Sequence, residues 1–169
     1  EYAAPDPVAM GALFVRMGFR PVARHRHKDV TLYRQGGINF LINAEPDSFA
    51  QRFARLHGSS ICAIAFRVQD AKVAYERALE KGAWGYAGKA GPGELNIPAI
   101  KGISGSLLYF VDRYGAKGSV YDTEFEWLAE RDARPAGGFF LVLANDFLKA
   151  VQGVPGGTDV VDHAGSHFV

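Results

Sequence analysis

Residues 94–115 read ELNIPAIKGISGSLLYFVDRYG. Two apolar runs, 95–100 and 106–112, flank a glycine-bearing turn at 101–105. Runs this short, bounded by Gly and Pro, read as buried or half-buried strands. Pro98 cannot donate to a ladder, so the first run is expected at a sheet edge or interrupted. The second run carries no breaker and is expected to sit deeper.

The chain ahead of this segment alternates a helix with several strands, and does so twice. A strand end at 1–6 runs into the turn Pro5-Asp6-Pro7. Met10, Leu13, Phe14 and Met17 then recur at i, i+3, i+4 and i+7, one face of an amphipathic helix that Gly18 closes. Strands are expected at 19–25, 30–35 and 38–43, with Gly36-Gly37 as a two-residue hairpin turn. Ser48 and Gln51 have capping-box spacing, and Phe49, Phe53 and Leu56 supply the buried face of a second helix that Gly58 stops.

The pattern then starts again. A strand at 61–68 precedes a helix capped by Asp70, which carries Tyr75, Ala78 and Leu79 and ends at Gly82. Strands at 83–87, 95–100 and 106–112 follow, and 120–128 reads as a closing strand. The repeat implies an α+β fold of paired βαβββ modules, about 1–58 and 59–130, forming a curved mixed sheet with helices on the outer face. Residues 1–135 make the domain. Pro135 and Gly137-Gly138 open a linker, and 136–169 read as linker and divergent tail, with the possible start of a further domain.

With 48% hydrophobic residues in 169, one core of ordinary size can form. Lys+Arg 19 against Asp+Glu 18 gives a net charge of +1, which argues against nucleic acid or an anionic membrane as partner. No run reaches the roughly 20 apolar residues of a membrane span. A single cysteine, Cys62, rules out an intrachain disulfide and fits a cytoplasmic setting.

The candidate chemistry is sparse. Cys62 lies in an apolar strand and reads as a buried small hydrophobe. His25 and His27 alternate with Arg24, Arg26 and Lys28, whose charge opposes cation binding, so they read as a solvated strand end. His57 reads as a cap residue at a helix C-terminus. In the closing strand, alternation puts Asp122, Glu124 and Glu126 on one face, by default a solvated one. His163 and His167, four apart, supply too few ligands for a metal alone. A ferrous oxygenase site needs two His and one carboxylate.

The words LYRQG at 32–36, ELNIPAIKG at 94–102, VDRYG at 111–115 and VYDTEFEWL at 120–128 stand in a longer match over about residues 1–135. Together they resemble the N-terminal domain of the bacterial 4-hydroxyphenylpyruvate dioxygenase family, within the vicinal oxygen chelate superfamily. The resemblance implies an iron(II) dioxygenase that converts 4-hydroxyphenylpyruvate and O2 to homogentisate and CO2 in tyrosine breakdown. It also implies that the substrate's 2-oxo acid chelates the metal and that two His and one Glu of a C-terminal catalytic domain hold the iron. The N-terminal domain is then a metal-free partner with no catalytic or cofactor-binding residues. Cys62 to Phe66, which match the first ligand strand, lack a His, and Glu126 echoes the ligand Glu only as a relic of the repeat.

Val161-Asp162-His163 fits the family word whose His is the first iron ligand, but later than the family spacing places it. At that spacing the chain reads Leu143-Ala144-Asn145-Asp146. The tail is therefore expected to have left the family sequence after Phe140, with His163 a metal ligand only if the tail stays in register. The chain alone is expected to be inactive, to lack its C-terminal catalytic domain and to form homo-oligomers. Other readings are the dioxygenase-like half of a 3-dehydroshikimate dehydratase fusion, a hydroxymandelate synthase, or a glyoxalase-like module that binds small ligands without catalysis. Glu94, Asp112 and Arg113 read as structural residues.

Overall fold

Strand β1 (Tyr2–Ala3) leads into helix α1 (Pro7–Arg16), and strands β2 (Arg20–His25), β3 (Val30–Gln35) and β4 (Ile38–Asn43) follow. The three long strands pair antiparallel, and β1 lies parallel to β4 with Tyr2 opposite Ile42. Helix α2 (Phe49–His57) and strand β5 (Ser60–Ile61) come next, and then the wiring repeats. Strand β6 (Ala63–Arg67), helix α3 (Ala71–Glu80) and strands β7 (Gly85–Tyr86), β8 (Ala99–Lys101) and β9 (Leu107–Val111) form the second module. Again the first strand is parallel to the last, with Ala63 opposite Leu107. A single-turn helix α4 (Tyr121–Glu124) and strand β10 (Phe125–Trp127) follow, and β10 returns to pair with β2 of the first module. The computed structural model describes residues 1–88 and 96–128, all within the unit Glu1–Phe139. Glu94, Leu95 and the tail from 129 onward, with His163 and His167, lie outside the described residues.

This is the α+β pair of βαβββ modules that the repeat implies. By hydrogen bonding it forms two ladders, β10-β2-β3-β4-β1-β5 and β6-β9-β8-β7. The expected strand 61–68 is broken at Cys62, where the ladders meet. The Cys62 N–H donates to the Glu1 carbonyl at 3.0 Å, and the Cys62 carbonyl accepts from the Leu107 N–H at 2.9 Å. One residue thus serves both modules. No breaker residue marks the place where the chain changes partner.

The starts of α1, α2 and α3 are each capped by a side chain that takes an otherwise orphaned N–H. Asp6 accepts from Ala9 N–H at 3.0 Å, Ser48 from Gln51 N–H at 3.1 Å and Asp70 from Val73 N–H at 2.9 Å. The Ser48–Gln51 box is only half formed. The Gln51 amide instead donates to the carbonyls of Ala4 and Asn43, at 3.1 and 2.9 Å, and ties α2 to the ends of β1 and β4. Asp112, from the end of β9, accepts from Ala71 N–H at 3.0 Å. This bond ties the end of β9 to the start of α3.

Tyr2 and Ala3 point to opposite faces of β1. Tyr2 joins Phe14, Phe19, Ile42 and Phe40 under α1, while Ala3 joins Ala50, Phe53, Ala54 and Cys62 under α2. The first group is an aromatic stack centred on Phe14, with ring centroids at 4.8 Å to Tyr2, 5.0 Å to Phe40 and 5.4 Å to Tyr33. The helix faces differ from those expected. Leu13, Met17 and Leu56 are exposed, and the buried stripes are Gly11 and Phe14 on α1 and Ala50, Phe53 and Ala54 on α2. Helix α1 is apolar nearly all round, so periodicity alone does not select its inward face. On α2 the contact is close, and small residues make it.

A glycine and a tyrosine meet in both modules. A methyl at Gly11 of α1 would press on the Tyr33 hydroxyl of β3 and lie 3.2 Å from its ring carbon Cζ. In the second module the roles are exchanged: Gly85 of β7 faces Tyr75 of α3, with Cζ at 3.3 Å.

Of the two outcomes expected at Pro98, the structure shows the interrupted run and not the sheet edge. β8 lies between β7 and β9, begins just past the proline, and the Pro98 carbonyl accepts from Phe110 N–H at 2.9 Å. The closing segment 120–128 is helical in its first half. Asp122 accepts from Ser119 N–H at 3.1 Å and Ser119 Oγ from Tyr121 N–H at 3.2 Å, a reciprocal capping exchange that starts a turn of helix before β10.

Candidate functional site

The inner face of the first module lies opposite α1. Alternation along β3 and β4 puts Val30, Leu32 and Arg34 there, with Asn39 and Leu41 beside them. A register shift between Pro21 and Ala23 lets Val22 and Ala23 both turn inward. β10 pairs with β2 and lays Phe125 over this face, with Tyr121 and Trp127 packed against the same cluster. Side chains therefore fill the inner face, and Arg34 lies beyond them toward the cleft it lines.

Arg34 is held in place. Its Nε donates to Asn39 Oδ1 at 2.8 Å and its Cζ stands 4.9 Å from the centre of the Trp127 ring. Arg67, from the end of β6, stands 5.7 Å from the ring of Tyr114. The two arginines line one cleft of about 260 Å³, together with Gly36, Asn39, Gly118 and Ser119. Sequence reading singled out neither arginine, because the contact between modules that joins them leaves no local pattern.

The residues that sequence did single out are scattered. His25 is not a solvated strand end: its side chain is 6% exposed, its Nε2 lies 3.7 Å from Glu124 Oε2, and its ring meets Phe125 edge-on at 5.2 Å. Its Nδ1 accepts from the His27 N–H at 3.1 Å, which places the neutral ring's proton on Nε2, toward Glu124. Both nitrogens are engaged within the fold, while His27 is exposed. His57 stacks on Phe53 at 4.2 Å on the exposed end of α2.

Asp122, Glu124 and Glu126 do not form a row, since the helical turn breaks their alternation. Asp122 accepts from Ser119 and from Trp127 Nε1, at 3.1 and 3.2 Å. Glu124 faces His25, and Glu126 lies opposite Arg24 in the β10–β2 register. Cys62 is fully buried, and burial pushes its thiol up to about 12, so it stays protonated and unreactive. Among the described residues, no three His, Cys, Asp or Glu side chains converge on a point that could hold a metal. No helix among them is long and apolar enough to cross a membrane.

A family model described as "Hydroxyphenylpyruvate dioxygenase, HPPD, N-terminal" matches residues 1–126. A 4-hydroxyphenylpyruvate dioxygenase of Pseudomonas sp. (strain P.J. 874) is 52% identical over 137 residues, which are 81% of this chain and 38% of that protein. A 3-dehydroshikimate dehydratase of Pseudomonas aeruginosa is 47% identical over 127 residues, 74% of this chain and 20% of that protein. Among solved structures, a xylose isomerase-like TIM barrel/4-hydroxyphenylpyruvate dioxygenase fusion protein aligns with a TM-score of 0.66 at 39% identity, covering 76% of this chain and 20% of that one. The chain thus spans well under half the length of each of these relatives.

Proposed function

Because this chain belongs to the hydroxyphenylpyruvate dioxygenase family through that family's N-terminal domain, we propose that it is the N-terminal part of a 4-hydroxyphenylpyruvate dioxygenase. In this reading it is the non-catalytic partner of a C-terminal catalytic domain. The observation that carries the reading is the 52% identity over 137 residues, a segment that makes up 38% of the Pseudomonas dioxygenase. The whole enzyme would convert 4-hydroxyphenylpyruvate and O2 to homogentisate and CO2 in tyrosine breakdown, as a cytoplasmic homo-oligomer.

Iron(II) would supply the oxygen chemistry of that enzyme, and the described residues do not fit it. The Cys62 thiol stays protonated, His25 has both nitrogens engaged, and Phe125, Leu32 and Trp127 occupy the inner face. The contribution of this chain is then architectural. The domain boundary falls near 135, and His163 could supply at most one ligand of a centre whose other ligands lie elsewhere.

The test has two arms. The purified chain, given iron(II) and 4-hydroxyphenylpyruvate in air, should yield no homogentisate above the protein-free rate. Homogentisate formation would overturn the non-catalytic role. Joined to the remaining C-terminal part of the Pseudomonas relative, the chain should support homogentisate formation. If the relative's own N-terminal segment succeeds there and this chain fails, the dioxygenase reading falls.

A second reading has its own support in the 47% identity to the 3-dehydroshikimate dehydratase. There the chain would be the dioxygenase-like half of a fusion. A gene that encodes a long barrel domain ahead of Glu1 would decide for it.

A further inference from the structure

Strand β6 stands at the end of the ladder β6-β9-β8-β7 and pairs along its length with β9 alone. The register runs from Ala63 opposite Leu107 to Arg67 opposite Val111. The Leu107 N–H donates to the Cys62 carbonyl at 2.9 Å, and the Val68 N–H to the Val111 carbonyl at 2.8 Å. Backbone groups alternate in direction along a strand, so Ile64 and Phe66 bond toward β9, while Ala63, Ala65 and Arg67 turn theirs outward. Glu1 meets the outward pair of Ala63: its nitrogen donates to the Ala63 carbonyl at 2.7 Å, and its carbonyl accepts from the Ala63 N–H at 3.3 Å. Beyond that point no described residue meets the outward N–H and C=O of Ala65 and Arg67, and both residues are exposed. Ile64 between Ala63 and Ala65 is 45% exposed although apolar. An open edge of this kind is a template for another strand.

We propose that the free edge of β6 docks an extended apolar and acidic peptide segment of a partner protein, antiparallel to β6 and in line with β1. The direction comes from β1, which is antiparallel to β5 with Tyr2 opposite Ile61 and Ala3 opposite Ser60. The bonds of Glu1 carry that ladder onto the first residue of β6. A docked segment continues it, exchanges hydrogen bonds with Ala65 and Arg67, and ends beside Glu1. Its residues opposite Ile64 and Phe66 share their face and should be apolar, while its residue opposite Arg67 lies beside a guanidinium and should be acidic. A second copy of this chain fits less well. Its own β6 would run on past Ala65 to Ala63, where Glu1 already lies, whereas a free segment can stop there. The proposal does not rest on the dioxygenase reading.

The test is titration of the full 169-residue chain with the acetylated, amidated peptide Thr-Glu-Val-Thr-Val, whose Glu falls opposite Arg67 and whose valines fall opposite Phe66 and Ile64. At saturation the amides of Ala65 and Arg67 should exchange with solvent at least tenfold more slowly, with the β3–β4 hairpin unchanged. The same peptide N-methylated at its Glu and its second Thr lacks the donors for the Arg67 and Ala65 carbonyls and should bind at least tenfold more weakly, which tests the ladder without altering the protein. Arg67→Glu should reverse the charge preference, so that the peptide with Lys in place of Glu binds better. The proposal is overturned if the two amides do not respond, if they are already protected in the free chain, if the methylated peptide binds equally well, or if Arg67→Glu keeps the parent's preference.

Discussion

Cys62 and Glu1 face each other where the two ladders meet, and the cysteine reaches the same carbonyl twice, through its N–H at 3.0 Å and its Sγ at 3.5 Å. The thiol is sealed in by Ala3, Ala50, Phe53 and Ala54. The junction between modules is therefore also the least accessible nucleophile in the described chain.

The native protein should accordingly resist Ellman's reagent at pH 8 and react fully once unfolded. A pH dependence follows. Burial raises the thiol from its ordinary value of 9.0 to about 12. Below pH 9 the thiol is protonated in both folded and unfolded chains and costs nothing. Between about 9 and 12 only the unfolded chain ionises, so stability should fall with pH by up to about 1.4 kcal/mol per unit from this group. Denaturation curves at pH 8 and 11 should show a smaller loss for Cys62→Ala than for the parent. An equal loss would mean that the thiol titrates normally.

Gly11→Ala pits two effects against each other. Alanine in a helix interior is favoured over glycine by about 1 kcal/mol, but the new methyl presses on Tyr33 in a packed contact, where overpacking costs about 1–3 kcal/mol. The substitution should destabilise the parent protein and stabilise a Tyr33→Phe background, which lacks the hydroxyl it meets. A double-mutant cycle by urea denaturation reads the change of sign.

Phe14→Ala should cost about 3–5 kcal/mol, because it empties the centre of the aromatic stack. Leu56→Ala should cost no more than about 0.5 kcal/mol, since Leu56 is 80% exposed. Thermal melts of the two variants compare them directly, and a large loss from Leu56→Ala would show that this residue is covered in solution.

Asp112→Ala removes an acceptor from the Ala71 N–H at the start of α3 and should cost about 0.5–2 kcal/mol. Asp112→Asn keeps an acceptor and should recover part of it. Amide hydrogen exchange should speed up at Ala71 in the alanine variant while the β3–β4 hairpin is unaffected.

The turns and caps were legible in the sequence because their chemistry is local. Gly36-Gly37 joins Gln35 to Ile38 as a two-residue hairpin turn, and Ser48 and Asp70 start helices where their side chains face free N–H groups. The repeat was legible too, since each module restates helix, glycine, strand. Features set by distant partners were not legible. Ile61 to Phe66 is an unbroken apolar run, and only the position of β1 and β9 divides it at Cys62. The segment 120–128 alternates like a strand, yet the spacing of Ser119 and Asp122 is itself a helix-start signal that the alternation masked. The cleft lay furthest from reach, because Arg34 and Arg67 become neighbours only when the two modules pack.

The return of β10 to β2 has a consequence for synthesis. Phe125 pairs with His25, so the edge of the first module cannot close until nearly the whole described chain has left the ribosome. Contacts between residues so far apart in sequence form late and slowly. Until then β2 presents unpaired N–H and C=O groups, the kind of edge that recruits another chain. The arginines and histidines at 24–27 sit on that edge and its exit. Their charge and polarity would guard the nascent first module against pairing with its neighbours on a polysome, until residues 125–127 arrive to occupy the place.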